Sequence, residues 1–283
     1  LSETSPLIIA FVGTTPNIGT TSASFAAAYR LAEATGQGVG YFCLHLKSAK
    51  IHRYIGIDKP SDSLDRLRPE LRSQSLAPDK LLRSMHRIGS MPKLSVLFGN
   101  MEREQAEFFT PEEAEHLIAC AAEAFPVIVL DVGAYWDNAA TVVGMRMADM
   151  KVLVTTTVLS HFQEDAQQWI AAVAPTFGIT PDHFEAVIIH SPYWNGGYRV
   201  KEICKEIGTA KLGEFQTSAG MFSALDKGDY EQWLSSDPAG KKAMLEPAAA
   251  IVNRYGLAQT RKRAITAQPW FRKLLEHRGG VGS

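Results

Sequence analysis

Leu7-Ile8-Ile9-Ala10-Phe11-Val12 runs into Gly13-Thr14-Thr15-Pro16-Asn17-Ile18-Gly19-Thr20-Thr21-Ser22, and a helical stretch follows from Ala23 to Glu33. The apolar run is short, holds three β-branched residues and is closed by glycine, the composition of a strand buried on both faces, as in a parallel sheet. The Thr-, Gly- and Asn-rich turn places Ser and Thr where a helix is capped, so hydroxyls and backbone N–H groups converge on the helix N-terminus. Such a terminus favours anions. The predicted order is strand, turn, helix.

Outward from this unit the pattern repeats. Gly36-Gln37-Gly38 ends the helix, and Val39 to Leu46 reads as a second strand joined by a right-handed crossover. Helices are predicted over Ser48 to Ile55, Ser61 to Gln74 and Pro78 to His86, followed by a strand at Leu94-Ser95-Val96-Leu97-Phe98-Gly99. Thr110-Pro111-Glu112-Glu113 opens a helix reaching Phe125, with an N-cap, a Pro in the first turn and carboxylates where the helix dipole favours them. Further strands are expected at Val127 to Gly133, Lys151 to Val158, Glu185 to His190 and Lys211 to Phe215. Strands alternating with helices give an α/β fold, a doubly wound, mostly parallel sheet flanked by helices.

The turn invites comparison with the phosphate-binding loop G-x-x-x-x-G-K-[ST]. Aligned on Gly19, its first Gly becomes Thr14, its Lys becomes Thr20, and its metal-ligating hydroxyl is kept as Thr21. The loop's central charge is missing, and an ordinary strand-to-helix turn without a ligand fits the same residues. Asp131 is the second marker. It follows four apolar residues at a strand end, and in an open α/β sheet ligands bind beyond the carboxyl ends of the strands. An Asp that only caps the next turn is the alternative.

Taken in order, these segments resemble the MinD/ParA family of deviant P-loop ATPases from Leu7 to Trp233, and within it the divergent pilus-positioning branch that includes TadZ and CpaE. The resemblance rests on the Thr/Gly loop, the strand ending Leu44-His45-Leu46, Leu-Ser-Val-Leu-Phe-Gly, Asp131-Val132-Gly133, Val152-Leu153-Val154-Thr155-Thr156-Thr157, Gly213-Glu214-Phe215 and Ala224-Leu225-Asp226-Lys227-Gly228. It implies ATP and Mg2+ as cofactors, held by Thr15, Asn17, Ile18, Gly19, Thr20, Thr21, Ser22 and Asp131, with Thr21 and Asp131 around the metal. It also implies homodimerisation.

Four departures qualify what the resemblance implies. The signature Lys of the family loop is Thr15, and the ordinary loop Lys is Thr20. The catalytic Asp after the second strand falls at Leu44 to Leu46, and the adenine-recognising Asn falls near His190. Loss of cations that meet the transferred phosphoryl group removes about 3 kcal/mol or more per preorganised group, so ATP hydrolysis is expected to be weak or absent. Lys47 and Lys50, just beyond the second strand, offer a relocated cation; solvated surface lysines are the alternative.

The C-terminal stretch carries a different signal. Arg261-Lys262-Arg263 and Pro269 precede Trp270-Phe271-Arg272-Lys273-Leu274-Leu275, where Trp270, Phe271, Leu274 and Leu275 share one helical face opposite basic residues. This is the pattern of an interfacial membrane helix and resembles the membrane-targeting end of MinD. Docking on the protein itself, on a second subunit or on DNA are the alternatives. Residues 1–255 are assigned to the nucleotide-binding fold and 256–283 to a basic linker with this helix.

Composition bounds the rest. The chain has 283 residues, 46% hydrophobic and 21% charged, with a net charge of −1, so contact with nucleic acid or anionic lipid requires a local patch. Three cysteines, Cys43, Cys120 and Cys204, fit neither a disulfide framework nor a zinc motif and suggest a reducing compartment. The eight histidines show no i, i+4 metal pairing. No apolar run approaches the roughly 20 residues that span a bilayer, and no signal peptide is evident. The expectation is a cytoplasmic protein, peripheral at the inner face of the membrane, that acts as a localisation or assembly factor for a pilus or secretion machine. An active ATPase with a rearranged site and a DNA-partition or conjugation factor are the alternatives. The aromatic loop Ser191-Pro192-Tyr193-Trp194-Asn195-Gly196-Gly197-Tyr198 is a candidate base-stacking or partner surface, with packing against the domain's own edge as the alternative.

Overall fold

A computed structural model describes residues 5–193 and 197–257. Eight strands form one sheet: β1 Leu7–Gly13, β2 Val39–Cys43, β3 His86–Arg87, β4 Leu94–Leu97, β5 Val127–Gly133, β6 Met150–Thr156, β7 Phe184–His190 and β8 Ala210–Gln216. Their spatial order is β3-β4-β2-β5-β1-β6-β7-β8, every neighbouring pair being parallel except β3 with β4. This is the doubly wound, mostly parallel α/β sheet expected from the sequence.

The strand period divides the core in two. On β1, Ile8, Ala10 and Val12 face the helices Leu64–Arg72, Pro111–Ala124 and Ala139–Met147, while Leu7, Ile9 and Phe11 face α1 (Thr20–Thr35) and the C-terminal helices. Residues two apart share a face, so both sides of β1 must be apolar. The same alternation on β5 sends Ile128, Leu130 and Val132 one way and Val127 and Val129 the other. Asp131 therefore falls on the α1 side, below the loop.

Several predicted boundaries shift. The first helix spans Thr20–Thr35, and its N-cap is Gly19, at φ 105, with no side-chain cap bond. The expected Ser/Thr cap is thus corrected: Thr21 turns its hydroxyl inward instead. The C-cap at Gly36, φ 62, agrees with the Gly-containing stop. The second strand ends at Cys43, and the three helices after it shrink to Ile51–Tyr54, Leu64–Arg72 and Pro78–Arg83. His86, read as the end of a helix, instead opens the antiparallel edge strand β3 with Arg87; two exposed polar residues carry no strand period to read. The helix Pro111–Ala124 has the anticipated Thr110 cap, completed by Glu113 as a reciprocal capping box.

Three C-terminal helices, Tyr230–Ser236, Pro238–Lys242 and Leu245–Arg254, close over α1. Arg30, only 2% exposed, holds them there through Nε to Ala243 O (3.3 Å) and Nη2 to Leu234 O (2.6 Å) and Gly240 O (3.0 Å). Tyr230 Oη adds a bond to Ser22 O at 2.8 Å, in the first turn of α1. One buried cation thus donates to three carbonyls at the ends of short helices, where intrahelical partners run out, one of them, Gly240 O, shared with the Ala243 N–H.

Candidate functional site

β1 lies where the strand order reverses, with β5 and β2 on one side and β6, β7 and β8 on the other. Crevices open beyond the carboxyl ends of strands at such a point. A cavity of about 510 Å³ occupies it, walled by the loop after β1, the segments after β6 and β7, the turn Ile51–Tyr54 and the helix Ala219–Lys227. Its volume is that of an ordinary small-molecule site.

The loop folds by two residues in the left-handed region, Asn17 at φ 64 and Gly19 at φ 105. Asn tolerates this conformation better than most side chains and Gly has no Cβ to clash, so the sequence pattern has a local physical cause. Gly13 is required for a different reason. A Cβ there would lie 2.4 Å from Thr20 Oγ1, which packs back over the loop's start. The N–H groups of Thr20, Thr21 and Ser22 head α1 with no carbonyl to bond inside the helix. They, with the helix dipole, make the polar floor an anion-accepting surface.

Beneath that floor lies a buried hydroxyl–carboxylate network. Thr21 Oγ1 donates to Asp131 Oδ2 at 2.7 Å, and Tyr41 Oη donates to the same oxygen at 3.0 Å. Gly133 N–H approaches Oδ1 at 3.3 Å, and Tyr41 Oη lies 3.1 Å from Ser24 Oγ. Asp131 and Tyr41 are both fully buried. Burial, reinforced by the Asp131 charge, pushes the Tyr41 hydroxyl well above its ordinary pKa and keeps it a donor. Thr21 Oγ1 is a hard oxygen donor of the kind that suits Mg2+ beside phosphate, which usually keeps several waters, whereas Asp131, buried behind it, orients that hydroxyl rather than facing the cavity.

Of the residues predicted from sequence, Thr15, Asn17, Ile18, Gly19, Thr20, Thr21 and Ser22 all line the cavity, whereas Asp131 sits behind Thr21 and does not reach the lining. Lys50 lines it too, with Nζ 3.2 Å from Asn17 Oδ1, and among the described residues is the single Lys or Arg on its wall. Lys47 faces elsewhere, paired with Asp137 and lying 5.2 Å from the Tyr135 ring centre. Leu44 and Leu46 are buried in the core, but His45 between them reaches the cavity beside Gly133. His190 lies 2.9 Å from Glu214, outside the lining. Trp270, Phe271, Leu274 and Leu275 lie outside the described residues, as do Trp194, Asn195 and Gly196.

Other lining residues were not legible. Tyr54, His161, Thr217 and Phe222 come from four separate elements, and nothing in their local sequence marks them. Tyr41 was hidden inside an apolar strand; its hydroxyl matters only because β2 and β5 are neighbours, with Tyr41 paired to Val129 and Cys43 to Asp131.

No family model matches the sequence, and no curated protein does. Solved structures do match the fold. A ParA family ATPase from Chlorobium tepidum TLS superposes with a TM-score of 0.73 over 87% of this chain and 99% of that one, at 19% identity. The fold is that of the MinD and ParA ATPases. The septum site-determining protein MinD from Pyrococcus horikoshii OT3, complexed with Mg-ADP, gives a TM-score of 0.71 over 89% of this chain and 98% of its own, at 14% identity. A plasmid partition protein from Borrelia burgdorferi B31 bound to AMPPNP gives 0.63, over 89% and 100%, at 10%. The MinD/ParA fold is thus shared at identities too low to carry chemistry from one chain to another. Among the described residues, no helix is long and apolar enough to cross a membrane.

Proposed function

We propose that this protein is a nucleotide-responsive localisation or assembly factor that binds ATP with Mg2+ at the cavity after β1 and hydrolyses it weakly or not at all. The observation that carries the reading is the 2.7 Å bond from Thr21 Oγ1 to Asp131 Oδ2 under the N-terminus of α1. A Thr hydroxyl oriented by a buried carboxylate at the mouth of a phosphate-sized loop is what a magnesium–phosphate group needs. Mg-ADP and AMPPNP in two proteins of this fold support the choice of ligand.

In this reading the first-turn N–H groups of α1 hold the phosphates, Thr21 faces the metal, and Asp131 acts through Thr21. Mg2+, when bound, neutralises phosphate charge. Ile189, Phe222 and Leu225 form the apolar end of the cavity, suited to a base, and Asp226 stands beside them. The loop contains no Lys, so little charge meets a phosphoryl group in transit, and the electrostatic stabilisation on which phosphoryl transfer depends is lacking. Nucleotide occupancy then acts by biasing self-association or partner binding.

A pilus or secretion machine at the membrane is the proposed setting, following the resemblance to the pilus-positioning branch. The deciding experiment is equilibrium binding of a fluorescent ATP analogue with and without Mg2+, on the unaltered protein and on Thr21→Ala. Saturable, Mg2+-dependent binding weakened at least tenfold in the variant is expected; no binding at millimolar nucleotide overturns the reading.

One observation favours a second reading, an ATPase with a rearranged site: Lys50 reaches the loop through Asn17. Phosphate release that depends on Mg2+ and disappears in Lys50→Ala would replace the weak-hydrolysis proposal with this one.

A further inference from the structure

A second cavity of about 660 Å³ opens on the other side of the turn Ile51–Tyr54 from the loop site, bounded also by the helix Leu64–Arg72 and the segment Asn100–Gln105. Lys50 and Tyr54 face the loop cavity, whereas Ala49, His52 and Arg53 face this cleft. Among the described residues six cations line it, Arg53, Lys59, Arg66, Arg68, Arg72 and Arg103, against three carboxylates, Asp58, Asp65 and Glu102. The chain as a whole has a net charge of −1, so this is a concentrated positive surface rather than a share of a basic protein.

The cations fall into two sets. Arg68 and Arg72 both engage the buried carboxylate of Glu113, each with Nε 3.2 Å from Oε1, and Arg68 also donates to Gln105 Oε1 at 3.1 Å and to Phe108 O at 2.6 Å. They form a back wall, Arg68 buried and Arg72 at its exposed end. Arg53, Lys59, Arg66 and Arg103 are exposed and make no side-chain hydrogen bond or ion pair among the described residues. Four unpaired positive charges around one concavity raise the local potential and attract an anionic ligand from solution.

We infer that this cleft is the docking site for an acidic peptide segment of a partner protein. The three carboxylates set among the cations select the ligand class. A duplex presents a phosphate charge about every 1.7 Å along its axis and no backbone donors, so it would press charge against Asp58 and Glu102. A peptide with spaced Asp or Glu residues meets the guanidinium groups with carboxylates and offers its backbone N–H groups to those acids. Arg suits this role because its planar fork matches a carboxylate in two bonds. The chain's own residues after Leu257 are unsuited, since they carry six Arg and Lys against Glu276 alone.

The test uses the whole protein and a fluorescein-labelled decapeptide of alternating Glu and Ala, followed by fluorescence anisotropy, with a Lys/Ala decapeptide and a labelled ten-nucleotide oligothymidine as comparisons. Saturable binding of the Glu/Ala probe, stronger than that of the oligothymidine and absent for the Lys/Ala probe, is expected. Arg53→Glu, Arg66→Glu and Arg103→Glu, combined, change exposed unpaired residues and leave the unfolding midpoint within a few degrees; the Kd of the acidic probe should rise at least tenfold. Lys93→Glu serves as a charge control away from the cleft and should change the Kd less than twofold. Equal or tighter binding of the oligothymidine, no binding of the acidic probe, or insensitivity to the triple reversal each overturns the proposal.

Discussion

Thr21 Oγ1 and Asp131 Oδ2 lie 2.7 Å apart, joining the first turn of α1 to the carboxyl end of β5 across 110 positions of chain. Tyr41 Oη binds the same carboxylate oxygen from β2. Three consecutive layers of one site thus come from a helix and two adjacent strands, and the hydroxyl facing the cavity takes its orientation from groups that never reach it.

Tyr41→Phe removes a buried hydroxyl that serves both Asp131 and Ser24 while preserving the ring packed edge-on against Phe25 at 5.4 Å. A hydrogen bond to a charged acceptor contributes about 1.5–3 kcal/mol, so urea unfolding should show a loss of that size. A loss below about 0.5 kcal/mol would mean that the network does not hold Asp131.

Arg30→Ala removes the guanidinium that donates to Ala243 O, Leu234 O and Gly240 O and leaves Glu33 without its partner. Breaking a buried charge-assisted cluster costs about 3 kcal/mol, which for a chain of this size lowers Tm by about 6–12 °C. Arg30→Lys, which can satisfy some of the carbonyls, should lose less. Thermal melts followed by circular dichroism decide it; equal losses in the two variants would assign the role to packing alone.

Lys50→Ala should weaken binding of a nucleoside triphosphate at least fivefold while leaving a nucleoside nearly unaffected, because its ammonium lies at the loop, 3.2 Å from Asn17 Oδ1. Lys47→Ala should change the binding of neither ligand, since Lys47 is held by Asp137. Isothermal titration of both variants with both ligands gives the comparison, and parallel behaviour of the two lysines would refute the assignment of Lys50 to the phosphates.

Burial holds the His52 imidazole below its ordinary pKa, with the Arg53 charge acting in the same direction and Asp58 opposing. The unfolded chain takes up a proton near pH 6.5, where folded His52 is still neutral. The contribution of His52 to stability is therefore complete above about pH 6.5 and is lost as pH falls through its folded value. Urea midpoints from pH 7.5 down to 5.5 should fall more steeply for the unaltered protein than for His52→Gln; parallel slopes would contradict this.

What the sequence determined by itself was the order of elements and the location of the loop. Apolar runs at Leu7 to Val12 and Val127 to Leu130 read as strands because both of their faces are buried, and the Gly/Asn pattern of the loop reflects backbone angles that few other residues adopt. The short antiparallel strand His86–Arg87 was invisible because two exposed polar residues have no period. Tertiary structure alone decided which side chains meet. Tyr41 faces Asp131 because β2 and β5 pair in one register, Lys50 rather than Lys47 reaches the loop because Asp137 holds the latter, and a basic cleft forms because the turn Ile51–Tyr54, the helix Leu64–Arg72 and the segment Asn100–Gln105 converge. Local sequence sets backbone preference and burial period, whereas these contacts depend on strand order and helix packing between residues dozens of positions apart.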